Sequence, residues 1–224
     1  MPTARPPKPV TGPPQFPTVS PIRPPGPPTV TKSTSLLVDG SALFLSSRAI
    51  ETEHPLDYRR LAQKLMEKLK VESFRPAIFF TSFDSGNEGQ LKFLNFIRDM
   101  MAWQVEAVPF SEAALMPQSE RDASRPYVRF DSRIAFSLGR LAGRSNVVVV
   151  SDAYSLASPI LETARRGSNI ALAFFSRALD PRWLKHLRDA RSGIQFIDLD
   201  LWLDELFGGN RSETSSGSAF SLLP

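Results

Sequence analysis

Apolar residues along this chain fall into short unbroken runs, separated by stretches in which they recur every three or four positions. The runs are SLLVD (35–39), PAIFFTSF (76–83), QVEAVPF (104–110), the four valines of NVVVVSD, NIALAFF (169–175) and IQFIDL (194–199). Their length and their content of Val, Ile and Phe predict strands buried on both faces. Phe79, Phe80, Phe174 and Phe175 are therefore expected in the core.

The intervening stretches read as helices. PLDYRRLAQKLMEKLK (55–70) places Leu61, Leu65 and Leu69 at helical spacing behind Pro55. EGQLKFLNFIRDMMAW does the same through Leu91, Leu94, Ile97 and Met101. Further helices are predicted from Phe130 to Ala142, over SLASPILETARRG with Gly167 as its stop, over DPRWLKHLRDA with Pro181 in its first turn, and over LWLDELF before Gly208. Strands alternating with helices predict a parallel sheet of five to six strands, covered on both faces.

The flanks lack this pattern. Residues 1–33 hold 12 of the 20 prolines and no apolar periodicity, which predicts an extended, disordered, basic tail. PxxP spacings such as Pro14 to Pro17 make that tail a candidate arm for a protein partner, or for nucleic acid. The folded domain is expected over 34–208, and GGNRSETSSGSAF opens a flexible C-terminal tail over 209–224.

Charge is unevenly distributed. Arg5, Lys8, Arg23 and Lys32 precede the first acid, so subtracting those four from 27 lysines and arginines leaves 23 against 23 acids in the body. The net charge of +4 thus sits in the tail, and a polyanion would meet that tail and local arginine clusters. The chain has no cysteine, which excludes disulfides and thiolate metal sites, and its two histidines, His54 and His186, lie too far apart in sequence to suggest zinc. A metal would have to be a hard cation on oxygen ligands. No stretch is apolar for long enough to span a bilayer, so no membrane association and a cytoplasmic location are expected.

Three aspartates carry the candidate chemistry. Asp39 ends the first strand, Asp152 ends the fourth, and Asp131 opens the helix that feeds the fourth. In an open parallel sheet, ligands bind beyond the carboxyl ends of the strands where the strand order reverses. If the first and fourth strands are neighbours there, the three carboxylates share one crevice and suggest Mg²⁺ or Mn²⁺. The alternative is local: Asp39-Gly40 is a turn signal, and Asp131 and Asp152 are good helix N-caps. Asp84 and Glu88 belong to a loop expected to be solvated. Arg125, Arg129 and Arg133 flank Asp131 and are followed by Arg140 and Arg144, positions from which guanidinium groups can hold a phosphate backbone or line a solvated helix face. Arg182, Lys185, Arg188 and Arg191 form a second basic run around Trp183, which is read as a base-stacking platform or as a partly buried aromatic.

The order of these motifs resembles the NYN domain, a branch of the PIN-like metal-dependent ribonucleases. LLVDGSALF, FFTSFDSGNEGQLKFLNFIRDM, YVRFDSRIAFSLGRLA, VVVVSDAYSLASPILETARRGSNIALAFF and LDPRWLKHLRDARSGIQFIDL match its successive segments over about residues 35 to 206. The resemblance implies a Rossmann-like three-layer α/β/α sandwich and cleavage of RNA by a metal-activated water, with Asp39, Asp131 and Asp152 as the matching catalytic and metal-binding acids. Ala42 stands where that family has Asn, Ser137 where a second helical Asp is expected, and Tyr154 where the strand-end motif has its second Asp. A neutral phenol is no charged ligand near pH 7, so the resemblance implies at most one metal here. Two functions follow as expectations: a metal-dependent endoribonuclease, or a PIN-like module without chemistry that binds RNA or scaffolds proteins through its proline-rich arm. A homo-oligomer is compatible with either.

Overall fold

A computed structural model describes residues 32–50, 54–113, 129–189 and 192–208. Residues 1–31 of the proline-rich tail, the C-terminal tail, Arg125 and Arg191 lie outside the described residues.

Six parallel strands form one sheet: β1 (Thr34–Asp39), β2 (Ala77–Phe83), β3 (Gln104–Pro109), β4 (Asn146–Val150), β5 (Ile170–Phe174) and β6 (Ile194–Asp198). Their order is β3-β2-β1-β4-β5-β6. From β1 the chain winds outward to β2 and β3. It then crosses back and winds the other way through β4, β5 and β6. The order reverses between β1 and β4, which pair in register from Thr34 opposite Asn146 to Val38 opposite Val150. Asp39 therefore ends its strand beside Ser151, which immediately precedes Asp152. The expected neighbour relation holds.

Helices cover both faces: α1 (Gly40–Ala49), α2 (Tyr58–Leu69), α3 (Glu88–Asn95), the single turn α4 (Phe110–Ala113), α5 (Asp131–Leu141), α6 (Ala157–Arg165), α7 (Trp183–Arg188) and α8 (Leu203–Phe207). α3 runs on into a wider π-helical turn over Phe96–Met100. The result is a three-layer, Rossmann-like α/β architecture.

Adjacent residues of β2 show why its strand is apolar throughout. Successive side chains point to opposite sheet faces. Phe79 meets Tyr58 of α2 edge-on, with ring centroids 5.4 Å apart, and Phe93 of α3 at 5.8 Å. Phe80 meets Phe130, just before α5, at 6.1 Å on the other side. Phe79, Phe80, Phe174 and Phe175 are all buried, as expected. With about 2 kcal/mol gained for each large apolar side chain removed from water, such two-sided strands supply much of the driving force for folding.

The helix ends follow the sequence signals. Asp57 caps α2 by accepting from the Arg60 N–H at 3.0 Å, and Asn87 caps α3 through the Gln90 N–H at 3.1 Å. Gly167, just past α6, has φ of +87°, a conformation that favours glycine.

Candidate functional site

At the carboxyl end of the sheet, where β1 and β4 part, the chain builds a mouth with two dissimilar flanks. Asp39 forms the floor and is only 5% exposed. It caps α1: Oδ1 accepts from the Ala42 N–H at 2.9 Å. Oδ2 faces the Ser151 hydroxyl at 3.5 Å. Gly40, the next residue, is required by space rather than by a turn. A Cβ there would lie 2.7 Å from Cε1 of Phe79, so the ring packs on bare backbone. The Asp-Gly pair is thus a helix cap followed by a close approach, and the turn reading is corrected.

Burial raises the Asp39 carboxyl from 3.8 to about 7, and the charges of Asp152 and Asp131 push the same way, against the Ala42 N–H and the Ser151 hydroxyl. Tyr58 responds to the same environment. Its phenol is pushed above its ordinary value by burial and, secondarily, by Asp39, so it stays neutral. The Asp39 carboxyl thus senses both Asp152 and Asp131.

Neither Asp131 nor Asp152 stands at the cap position of its helix. Asp131 is the first residue inside α5; the cap position belongs to Phe130, which makes no side-chain cap. The Asp131 Oδ2 accepts from Arg129 Nη2 at 2.7 Å and from the Ser155 hydroxyl. Asp152 precedes a 3₁₀ turn over Tyr154–Leu156 whose cap position is Ala153. The Ala153 N–H is taken by the Ser151 hydroxyl at 3.2 Å.

The other flank is aromatic. The Tyr154 hydroxyl lies 3.1 Å from His186 Nε2, and the two rings stack at 5.8 Å with 26° between planes. Trp183 meets Tyr154 edge-on at 5.7 Å. The Arg182 guanidinium sits 4.4 Å above the Tyr154 ring centroid. Arg182 also grips Asp180 through both carboxylate oxygens, and these hydrogen bonds hold that half-buried carboxyl down at about 2.

Trp183 is 0% exposed, which corrects its reading as a stacking platform. Its Nε1–H donates to the Asp152 carbonyl at 3.3 Å, so it positions the strand-end turn. His186 is the residue that sequence reasoning passed over. Its signal was the spacing of Trp183 and His186 on α7, which places both on one helical side, facing the turn that carries Tyr154.

Ser137 does not take part in the mouth. It lines a groove further along α5, together with Ile78 and Arg140, so the position expected to carry a second helical acid faces elsewhere. Asp84 is exposed and folds back on its own loop, accepting from the Gly86 N–H at 2.9 Å. Glu88 pairs with Lys92 at 3.9 Å on the α3 surface.

The fit of a divalent cation can be judged from the donors. A resident Mg²⁺ or Mn²⁺ needs several anionic oxygens turned to one point. Here one carboxylate caps a helix and is stabilised in its neutral form, and another is engaged by Arg129 and Ser155. Among the described residues no group of three or more His, Cys, Asp or Glu is placed to hold a metal ion.

No family model matches the chain, and no curated protein matches it. Among solved structures, the chain is similar to a crystallised protein of unknown function from Vibrio parahaemolyticus, at 17% identity and a TM-score of 0.58, over 76% of this chain and 95% of that one. That likeness supports the three-layer architecture. Among the described residues no helix is long and apolar enough to cross a membrane.

Proposed function

We propose that this chain is a PIN-like domain of the NYN type that acts as an RNA-binding module, its acidic mouth no longer arranged as a metal centre. The observation that carries this reading is the pairing of Asp131 with Arg129 and Ser155, beside an Asp39 used as a helix cap. Tyr154, at the position where a further acid would be expected, is instead built into the aromatic flank with His186 and Trp183. Exposed basic residues supply the attraction for phosphate: Arg129 beside the mouth, Arg140 and Arg144 on and after α5, and Arg182, Lys185 and Arg188 around α7.

A second reading has its own support. Crowded carboxylates raise one another's proton affinity, and Asp39 at about 7 has that signature, partly through Asp152 and Asp131. It makes the chain a metal-dependent endoribonuclease using Mg²⁺ or Mn²⁺ at Asp39, Asp131 and Asp152.

One pair of measurements separates the two: Mn²⁺ titrated calorimetrically into the full chain, and a labelled RNA incubated with and without Mn²⁺. The module reading expects no saturable heat, RNA retained equally in EDTA, and no cleavage above that of Asp39→Asn. Saturable Mn²⁺ binding together with cleavage lost in Asp39→Asn would replace it with the nuclease.

A further inference from the structure

A second concave surface begins near the mouth and runs away from it. The groove, of about 630 Å³, lies between α5 and the amino-terminal halves of β2 and β3. One wall is a single helical stripe of Arg133, Phe136, Ser137 and Arg140, continued past the helix end by Arg144. The other wall is Ile78, Gln104 and Glu106. The groove exists because β3 is an edge strand and α5 does not reach across to cover it. β3 is consequently the strand with a fully exposed first residue and mostly partial burial.

Two features of this groove are unusual for a plain solvated face. Phe136 is 68% exposed and lies on the helix side opposite Ile134 and Leu138, which are fully buried. Its ring face is therefore open to a ligand in the groove. The Arg140 guanidinium lies 5.9 Å from that ring, leaving a cation beside an open π-face. Among the described residues no carboxylate pairs with Arg140 or Arg144. Among the described residues, Glu106 is the one acid lining the groove.

We propose that this groove binds single-stranded RNA, with a base stacked on Phe136 and the phosphates following Arg140 and Arg144. The inference rests on the RNA-binding reading above and gives it a location apart from the acids. Stacking on an exposed ring accepts any base, while guanidinium groups follow the backbone. From Asp131 to Leu141, α5 spans roughly 15 Å at 1.5 Å per residue, so a strand in the groove is led to or from the mouth. Charge complementarity decides the occupant. A second copy of the chain would bring the same arginine stripe against itself, whereas a polyanion neutralises it.

The test is fluorescence anisotropy of a labelled 12-nucleotide oligouridylate with the full chain, over a range of salt concentrations. The substituted side chains are exposed, so the variants keep the fold, which circular dichroism verifies. Phe136→Ala is expected to weaken binding by about 5- to 150-fold, the range for losing one base–aromatic stack. Arg140→Ala with Arg144→Ala is expected to flatten the log–log salt slope by about 1.4, for two lost phosphate contacts on a single strand. Wild-type affinity and slope in both groove variants would overturn the groove while leaving RNA binding elsewhere intact. No binding by the wild type would overturn the RNA reading and the groove with it. Loss of a concentration-dependent dimer in Phe136→Ala, by sedimentation, with RNA affinity unchanged, would reassign the surface to self-association.

Discussion

On one flank of the mouth, Asp39 and Asp131 are held by donors that belong to the fold itself: the Ala42 N–H of α1, the Ser151 and Ser155 hydroxyls, and Arg129. On the other, Tyr154 stands among Trp183, His186 and Arg182, where ring contacts and one hydroxyl–imidazole contact replace charge. The acidic flank carries unfavourable electrostatics, visible in the raised proton affinity of Asp39. The aromatic flank carries packing, visible in a tryptophan sealed from solvent. Two sides of one crevice are thus held by different forces, and each should fail under a different perturbation.

The largest expected effect is on the aromatic side. Trp183→Ala removes a fully buried indole, its hydrogen bond to the Asp152 carbonyl and its edge contact with Tyr154. A loss of about 3–5 kcal/mol in urea-denaturation stability is expected, since both the transfer energy and a cavity contribute. A loss below ~1 kcal/mol would mean that this flank is not a structural cluster, and the contrast would break.

The acidic side should respond to pH instead. The folded-state value of about 7 for Asp39 lies above its ordinary 3.8, so the folded chain binds that proton more tightly than the unfolded one. The associated stability is complete below about pH 3.8 and is lost progressively as the pH rises towards 7. The shift corresponds to a ceiling of roughly 4 kcal/mol. Asn carries no charge, and its carbonyl can still accept from the Ala42 N–H. Asp39→Asn is therefore expected to exceed the wild type by about 1–3 kcal/mol at pH 8, with the difference shrinking towards pH 4. A variant no more stable than the wild type at pH 8 would show that Asp39 is not strained. A rise in wild-type stability on adding Mn²⁺, absent in the variant, would show a cation relieving that strain.

How much of this was legible beforehand differs between the flanks as well. That β1 and β4 are neighbours is supplied by the strand order; the strands, their order of appearance and the placing of Asp39 and Asp152 at strand ends could be read from the runs. What each carboxylate does there could not, because capping depends on backbone angles and partners rather than on residue type. Asp131 has the composition of a cap, yet sits one residue inside its helix. Gly40 looked like a turn, yet its role is set by Phe79, about forty residues away and on another strand. The Tyr154–His186 contact joins residues 32 apart through a helix whose seating no local pattern specifies. Local periodicity encodes elements; long-range contacts assign roles.

The smallest effect is the most discriminating. Arg129 is 42% exposed and Asp131 19%, so their pair at 2.7 Å should add only about 0–1 kcal/mol to stability. Arg129→Ala is thus expected to leave the denaturation midpoint nearly unchanged. Its consequence should fall on Asp39 instead. With the guanidinium gone, the negative charge of Asp131 is no longer offset, and a charge that already raises the Asp39 value acts at fuller strength. The Asp39 carboxyl titration, followed by carbon NMR, should move upward by less than about one unit. Removing the pair also leaves Asp131 more open to a cation, so the variant is the form in which Mn²⁺ binding should emerge if the arginine is what keeps it out. An upward titration shift with Mn²⁺ binding newly gained would identify Arg129 as the residue that closes the acidic flank. An unshifted titration would mean that the two acids do not sense each other, and the division of the mouth into a charged and a packed side would lose its basis.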